Sequence, residues 1–311
     1  NGTVTNPVIL TSYRDDTAGG DTNGDGATSA PAPGDWQGVS FENLVTPSSL
    51  KGFEIRYATA AASTGFWYVP PAGRAVLRDG VLRNNQYAVM ARVPYAELEV
   101  ENCLLINNSE AIAGRNTAKI VLRNSTIANN DASVREGRYA LYTFENSIFA
   151  FNGWSGITDV ASPSDLIARN SIFYGADAAG AIGVLGQEAF LNGGNINADP
   201  LFVSRAARNY ELAAGSPAID AGSGIGAPLT DLLGRSRYDD LGMPNRGSGY
   251  PSYVDMGAYE RQESTAAADL AVTFVSDPTP EFLNAGNSFT VNWTVSNVGE
   301  RHATGTWQDV V

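Results

Sequence analysis

One short acidic segment of the sequence has oxygen-bearing side chains at every second position. Asp21, Asn23 and Asp25 alternate with small residues and Gly26 follows, so the segment reads D-x-N-x-D-G. In calcium loops of this pattern alternate oxygen atoms converge on one ion, and the glycine permits the tight bend. Asp16 lies close enough along the chain to add a carboxylate. We therefore predict that Asp16, Asp21, Asn23 and Asp25 bind a structural Ca²⁺ ion.

The alternative for this segment is a solvated turn held by its own Asx hydrogen bonds. An EF-hand is excluded, because position 32 is alanine where that loop would place its distal glutamate. Asp15 and Asp35 also lie near enough in the sequence to contribute oxygen ligands. The acidic loop as a whole covers residues 14–36.

Charged residues of alternating sign recur once per repeat in the central part of the chain. Glu101, Arg123, Glu145 and Arg169 each precede an aligned asparagine by one residue. Stacked coils would place these opposite charges beside one another, as in an exposed ladder of ion pairs. A glycoside hydrolase would instead need carboxylates grouped on adjacent coils. The pattern favours a structural ladder, and we predict no catalytic residues.

Two residue types that often carry catalysis occur once each. His302 lies outside the repeats, which excludes histidine triads and histidine-ligated zinc within them. Cys103 is the only cysteine, so no internal disulfide can form. It aligns with Ser125, Ser147 and Ser171, and we interpret it as a small packed residue rather than a nucleophile.

Three consecutive aromatic residues, Phe66, Trp67 and Tyr68, lie in a segment that we interpret as an insertion at residues 60–75. Their ring faces could stack on a sugar, which makes them a candidate glycan site. The alternative is that they cover the coil edges and the core.

These residues must be positioned by a unit that repeats every 22 to 24 residues. A first column of the aligned repeats holds Asp79, Asn102, Asn124, Asn146 and Asn170. A second column, six residues later, holds Asn85, Asn108, Asn130 and Asn152. This period is typical of one coil of a parallel β-helix, in which equivalent residues lie above one another at about 4.8 Å.

Both asparagine columns are predicted to be turn ladders. Asparagine tolerates a left-handed backbone, and stacked side-chain amides can bond from coil to coil; a polar binding stripe is the alternative. Ile127, Phe149 and Phe173 share another column and should form an apolar ladder inside the coils. The predicted fold is all-β: a right-handed parallel β-helix, or solenoid, over residues 1–195, with short strands and little helix.

The composition restricts the partners. The chain has 311 residues, a net charge of −13 and a sequence pI near 4.5, which argues against nucleic acid or an anionic membrane. No apolar run is long enough to span a membrane. Because the sequence begins at Asn1 without a methionine, we interpret it as a piece of a longer protein.

Residues 196–262 contain NADPLF, GSPAIDAG, TDLLGRSR and VDMGAYE in that order. This order resembles the C-terminal segment of bacterial β-helix proteins called the choice-of-anchor Q domain, which implies an exported protein but no activity. The N-terminal run that ends in GDWQGVSF resembles a segment of the same proteins. Asp199, Asp220, Asp255 and Glu260 should bond backbone N–H groups at turns, and a second cation site is the alternative.

Residues 269–311 follow a linker at 263–268 and resemble the first part of a CARDB domain, an immunoglobulin-like adhesion-related domain of bacteria. Phe289, Val291, Trp293 and Val295 alternate with polar residues as in a half-buried strand. The resemblance implies a partial β-sandwich.

Together these features predict a non-catalytic structural or adhesion module of a large bacterial surface or secreted protein. Its expected partners are extracellular glycans or other copies of itself. A β-helix that binds or cleaves polysaccharides and a filament-forming subunit are the two alternatives.

Overall fold

The structure is a computed structural model. It describes residues 1–3, 5–42, 47–64, 74–135, 139–153, 156–157, 160–262, 270–276 and 290–297. The chain divides into two compact units, Asn1–Arg261 and Gln262–Val311. The first unit is a parallel β-solenoid of about five turns, which confirms the predicted solenoid.

Most strands of the first unit are short. They are β1 (Val8–Leu10), β2 (Val39–Phe41), β3 (Ser48–Arg56), β4 (Ala60–Thr64), β5 (Arg74–Arg83), β6 (Tyr87–Ala91), β7 (Glu97–Ile106), β8 (Glu110–Gly114), β9 (Lys119–Arg123), β10 (Thr126–Ala128), β11 (Leu141–Glu145), β12 (Ile148–Ala150), β13 (Leu166–Arg169), β14 (Ile172–Phe173), β15 (Phe202–Ser204) and β16 (Asn209–Leu212). A 3₁₀ turn spans Pro163–Asp165, and the helices are α1 (Ala176–Leu185) and α2 (Gln187–Asn192).

Two parallel sheets run along the solenoid. The smaller has four strands in the order β2-β4-β6-β8. The larger has ten strands: β1, β3, β5 and β7 follow one another, and β7 then continues into two branches. In the first branch, the first half of β7 pairs with β9, and β11 and β13 follow. In the second branch, the second half of β7 pairs with β10, and β12 and β14 follow.

The branching occurs at the first asparagine column. The backbone there is left-handed, with φ of 52° at Asn102, 44° at Asn124, 50° at Asn146 and 45° at Asn170. Glycine and asparagine tolerate this conformation better than other residues. The later coils therefore bend between their two strands at these asparagines.

The interior of the coils is apolar and in register. Ile127 pairs with Leu105 on one side and with Phe149 on the other, and Phe149 pairs with Phe173. The rings of Phe149 and Phe173 stack with centroids 5.0 Å apart. This confirms the predicted apolar ladder, whose side chains are excluded from water.

The two ends of the segment interpreted as an insertion, residues 60–75, belong to strands. Ala60–Thr64 is strand β4, whose small buried side chains pair with β2 and β6, and β5 begins at Arg74. Apolar and polar residues do not alternate in the run AAAST, because all five side chains are buried. The sequence pattern therefore did not indicate a strand there. Phe66, Trp67 and Tyr68 lie outside the described residues.

Residues 176–192 pack on the last coils. Phe190 of α2 lies edge-on to Phe173 with ring centroids 5.7 Å apart, and Ala178 and Ala181 of α1 join the same core. A helix that covers the last strands of a sheet prevents pairing with another chain. No helix among the described residues is long and apolar enough to cross a membrane.

Residues 196–262 return along the outside of the larger sheet. Leu104, Ile106 and Ala128 pack against Tyr210 and Ala258 in one apolar cluster. A second cluster joins the outer side chains of β12 and β14 to the same returning segment. The branch through β10, β12 and β14 is therefore buried on both faces.

The second unit contains one described antiparallel pair, β17 (Leu270–Val275) and β18 (Trp293–Asn297), in which Val272 pairs with Val295. The predicted linker at 263–268 lies outside the described residues. The immunoglobulin-like sandwich remains a prediction.

Candidate functional site

The second asparagine column forms a continuous amide ladder inside the solenoid. Asn85 donates through Nδ2 to Asn108 Oδ1 at 3.0 Å, Asn108 to Asn130 at 2.9 Å, and Asn130 to Asn152 at 2.9 Å. Each acceptor oxygen also takes the backbone N–H of the asparagine one coil earlier. The amides therefore hold three successive pairs of coils in register.

This ladder ends on a carboxylate that sequence reasoning missed. Asn152 donates through Nδ2 to Asp177 Oδ2 at 2.8 Å, and Ser133 Oγ donates to Asp177 Oδ1. Asp177 is fully buried, and burial raises its pKa to about 6 although both hydrogen bonds lower it. The available signal was spacing, because Asp177 follows Asn152 by 25 residues.

The first asparagine column attaches the returning segment to the coils. Asn102 donates to the Thr230 carbonyl at 2.7 Å. Asn146 donates to the Ser223 carbonyl and accepts from the Ser223 N–H, both at 2.7 Å. Bonds within the column are longer, at 3.1 Å from Asn102 to Asp79 and 3.4 Å from Asn146 to Asn124. Its side chains therefore serve mainly as docking points.

Cys103 begins a column of backbone-to-hydroxyl bonds. Its N–H donates to Ser125 Oγ at 3.1 Å, and the N–H groups of Ser125 and Ser147 donate to the hydroxyls of Ser147 and Ser171. Burial raises the pKa of the Cys103 thiol far above its usual range. The thiol is therefore a packed group, and nothing activates it as a nucleophile.

The outer face of the larger sheet is charged in stripes. Glu97, Glu99 and Glu101 project from β7. Arginine or lysine residues of β5 and β9 face Glu97 and Glu101, whereas Glu99 lies opposite valines and pairs diagonally with Arg74 and Arg123. Arg123 contacts Glu99 at 2.7 Å and Glu145 at 3.0 Å. Three glutamates on one coil lie between basic residues on its neighbours, which opposes any slip in register.

The predicted charge column is present, but its ion pairs differ in detail. Glu101, Arg123, Glu145 and Arg169 occupy consecutive register positions. Glu101 pairs with Arg78 at 3.0 Å, whereas Arg123 turns to Glu99 and Glu145. Competing partners on the same face decide which contacts form.

A groove of about 460 Å³ lies over this charged face. One wall is the sheet and the other is the returning segment. Its lining consists of Glu99, Glu101, Arg123, Glu145, Asn146, Arg169, Asn170, Ser223, Ile225, Gly226 and Ser248. The residues are mostly charged or polar, so the groove suits a hydrophilic ligand better than an apolar one.

The base of the acidic loop is fixed to the coils. Arg56 donates to Asp15 Oδ2 at 3.1 Å, and the Trp36 indole donates to the Arg56 carbonyl at 2.8 Å. Ser12 closes the loop by donating to Asp35 at 2.6 Å. Asp15 and Asp35 are therefore structural groups at the base.

The tip of the loop is an Asx turn. Asp21 Oδ1 accepts from the Gly24 N–H at 2.7 Å and Asp21 Oδ2 from the Gly26 N–H at 2.9 Å. Asn23 Oδ1 accepts from the Asp25 N–H at 3.2 Å. A carboxylate has about four lone-pair sites, so these bonds leave acceptor capacity on Asp21.

Two carboxylate oxygens of the loop lack a described hydrogen-bond donor. Asp16 Oδ1 and Asp25 Oδ1 are buried and accept no described hydrogen bond. Burial and then the charges of Asp21 and Asp25 raise the pKa of Asp16. Among the described residues, however, no group of three or more histidine, cysteine or acidic side chains is arranged to hold a metal. Calcium binding stays a prediction.

The returning segment contains buried carboxylates that bond backbone N–H groups. Asp255 accepts from the N–H groups of Asp220 and Arg261 at 2.8 and 2.7 Å, and Glu260 accepts from that of Tyr238 at 3.0 Å. This confirms the structural interpretation of those two residues. Burial and then Asp239 and Asp240 raise the pKa of Asp220 to about 7.

Comparison with known proteins adds no identification. No family of known proteins, no curated protein and no solved structure matches the chain.

Proposed function

We propose that the chain is a non-catalytic structural and adhesion module of a large protein that is secreted or displayed on a bacterial surface. The observation that supports this most strongly is the amide ladder from Asn85 to Asp177. The buried asparagine side chains of this ladder form hydrogen bonds from one coil to the next. Such coil-to-coil bonding suits a rigid spacer that presents binding surfaces.

The charged face also supports a structural role. Acid–base catalysis uses carboxylates whose environments push their pKa values apart, often by placing like charges together. Here Glu99 contacts Arg74 and Arg123, and Glu145 contacts Arg123 and Arg169. Each carboxylate thus has cations on both neighbouring coils.

The finer architecture is part of the proposal. The coils are right-handed, as parallel crossovers nearly always are. Residues 196–262 are a choice-of-anchor Q segment, and residues 269–311 are the first part of a CARDB-like sandwich. The acidic loop binds one structural Ca²⁺ through Asp16, Asp21, Asn23 and Asp25. Extracellular glycans or further copies of the chain are its partners.

Incubation of the full chain with a panel of acidic and neutral polysaccharides, with Ca²⁺ present, tests the proposal. Reducing-end assays and absorbance of unsaturated products should detect no cleavage. New reducing ends or unsaturated products that increase with protein concentration would overturn the non-catalytic assignment. A heat-denatured sample of the same chain is the control for contaminating or spontaneous breakdown.

A further inference from the structure

We propose that the groove over the charged face is a binding site for a short acidic oligosaccharide, whose carboxylate is bound by Arg169. This inference rests on the proposed function only in that the ligand is bound and not cleaved. It concerns the groove alone and does not involve the acidic loop.

The first observation is that the groove has a second wall. Ion pairs that only fix the register of the strands do not require a second chain segment above them. Here Ser223, Ile225 and Gly226 of the returning segment face Glu145 and Arg169 of the sheet across the cavity. The wall is held in place by the two bonds between Asn146 and Ser223. The shape of the groove is therefore built into the fold.

The second observation is that one end of the groove has donors with unused hydrogen-bonding capacity. The Arg169 side chain is 63% exposed, and its ion pair with Glu145 is long, at 3.9 Å, so its N–H groups form no hydrogen bond with that carboxylate. Asn170 follows it, and its side chain makes no hydrogen bond among the described residues, although Asn102 and Asn146 in the same column do. Arg169 and Asn170 can therefore bind a ligand without breaking the solenoid.

The chemistry of the lining indicates the class of ligand. A guanidinium binds a planar carboxylate through two parallel bonds. Glu101 and Glu145 can accept hydrogen bonds, while Arg169, Asn170 and Ser248 can donate them. The groove can therefore bond a sugar hydroxyl both as donor and as acceptor. Ile225 is 76% exposed and offers an apolar surface to the C–H face of a sugar ring. A sugar acid combines all these features.

Other ligands fit less well. An extended peptide binds by adding a strand to a free sheet edge. Strands β9 and β11 beneath the groove are paired on both sides. The outer edge of β13 is covered, because the Asn170 N–H donates to the Gly193 carbonyl and Asn195 Nδ2 donates to the Ala168 carbonyl. A nucleic acid carries a charge on every nucleotide, and a chain with a net charge of −13 would repel it more strongly than a ligand with a single carboxylate. A short sugar with one carboxylate needs only local positive charge, which Arg169 supplies beside the glutamates of the groove.

Isothermal titration of the full chain with a galactose trimer that carries one terminal galacturonate tests this inference, with the neutral galactose trimer and a tripeptide that contains one glutamate as comparison ligands. The acidic sugar should bind, and binding should weaken at least about tenfold in Arg169→Ala, the loss expected for a charge-assisted pair. Arg208→Ala is the matched control, because Arg208 is an exposed arginine outside the groove. Its affinity should stay unchanged.

Each contrary result has a separate meaning. No binding of the trimer with the terminal galacturonate, or equal binding by Arg169→Ala, would overturn the inference, as would equal affinity for the neutral trimer or the peptide. Thermal unfolding should show that Arg169→Ala remains folded, since its side chain is largely exposed. Asn170→Gly is a second groove variant, and glycine suits the local φ of 45°. Unchanged affinity of this variant would show that the groove is not the site. Cleavage of the bound sugar would overturn the non-catalytic assignment and leave the binding site standing.

Discussion

Asn152 donates its side-chain amide to Asp177, and this bond ends a file of aligned amides on a buried carboxylate. In each bond of the ladder the donor belongs to the earlier coil and the acceptor to the later one. Hydrogen bonds in such a chain polarise one another, and a negative acceptor at the end favours that direction. The arrangement couples the stability of the solenoid to one proton.

The stability of the solenoid should depend on pH through Asp177, and Asp177→Asn should remove that dependence. The folded pKa of Asp177, about 6, lies above the ordinary value of 3.8, so the folded chain holds the proton more tightly than the unfolded chain. The stability contributed by Asp177 is then fully present below pH 4 and is lost as the pH rises through 6. The loss is of order 1–3 kcal/mol.

Urea unfolding of the unmodified chain and of Asp177→Asn between pH 4 and 7 measures this effect. The variant should gain relative stability across that range, because asparagine can continue the ladder without charge. Parallel stability curves for the two proteins would contradict the shifted pKa. Asp177→Ala should be destabilised at every pH, because it leaves the Asn152 amide without its acceptor.

Asn130→Ala should break the ladder at its centre. The substitution removes one donor and one acceptor that bond Asn152 and Asn108, and these partners are buried. Unsatisfied buried groups cost about 1–3 kcal/mol each, so we expect a loss of roughly 2–5 kcal/mol. Chemical denaturation measures it, with Asn192→Ala at an exposed helix position as control. Equal, small effects of both substitutions would show that the ladder is not a main source of stability.

Several features of this arrangement could be predicted from the sequence. The regular spacing of Asn102, Asn124 and Asn146 predicts both the parallel register and the left-handed turn, because both depend on local conformation and a fixed period. The docking partners of this column could not be predicted. Ser223 lies 77 residues after Asn146, and Thr230 lies 128 residues after Asn102. Such contacts depend on how the returning segment folds over the coils.

One signal for that segment was nevertheless present. Residues 104–106 and Ile148–Ala150 are apolar at three consecutive positions, which is typical of strands buried on both faces. The ion pairs of the charge column could not be predicted from the sequence, because Arg123 has glutamates on both neighbouring coils as possible partners. The sequence places Asp16 and Asp25 in one acidic loop, and their binding of Ca²⁺ stays a prediction.

Calcium should bind the acidic loop through the oxygens at its tip. Titration calorimetry of the chelator-treated chain should show Ca²⁺ binding at one site, and Asp25→Asn should weaken it at least about tenfold because a ligand charge is lost. Asp131→Asn, an exposed acidic residue outside the loop, should change nothing. Absence of Ca²⁺ heat, together with an unfolding temperature that chelator leaves unchanged, would reject the site and leave the Asx-turn interpretation.

Reversal of one charge should disturb the register of the striped face. Arg123→Glu would place a carboxylate between Glu99 and Glu145, where two ion pairs of 2.7 and 3.0 Å now form. The Arg123 side chain is 31% exposed, so solvent screens only part of the new repulsion, and we expect a loss of roughly 1–3 kcal/mol. Denaturation at low salt and at high salt measures it, and the loss should shrink as salt screens the repulsion. Arg208→Glu, at an exposed position with no described ion pair, should change stability little under either condition. A salt-independent loss would indicate that Arg123 acts through packing of its aliphatic stem, whereas no loss would show that the charge stripes do not fix the register.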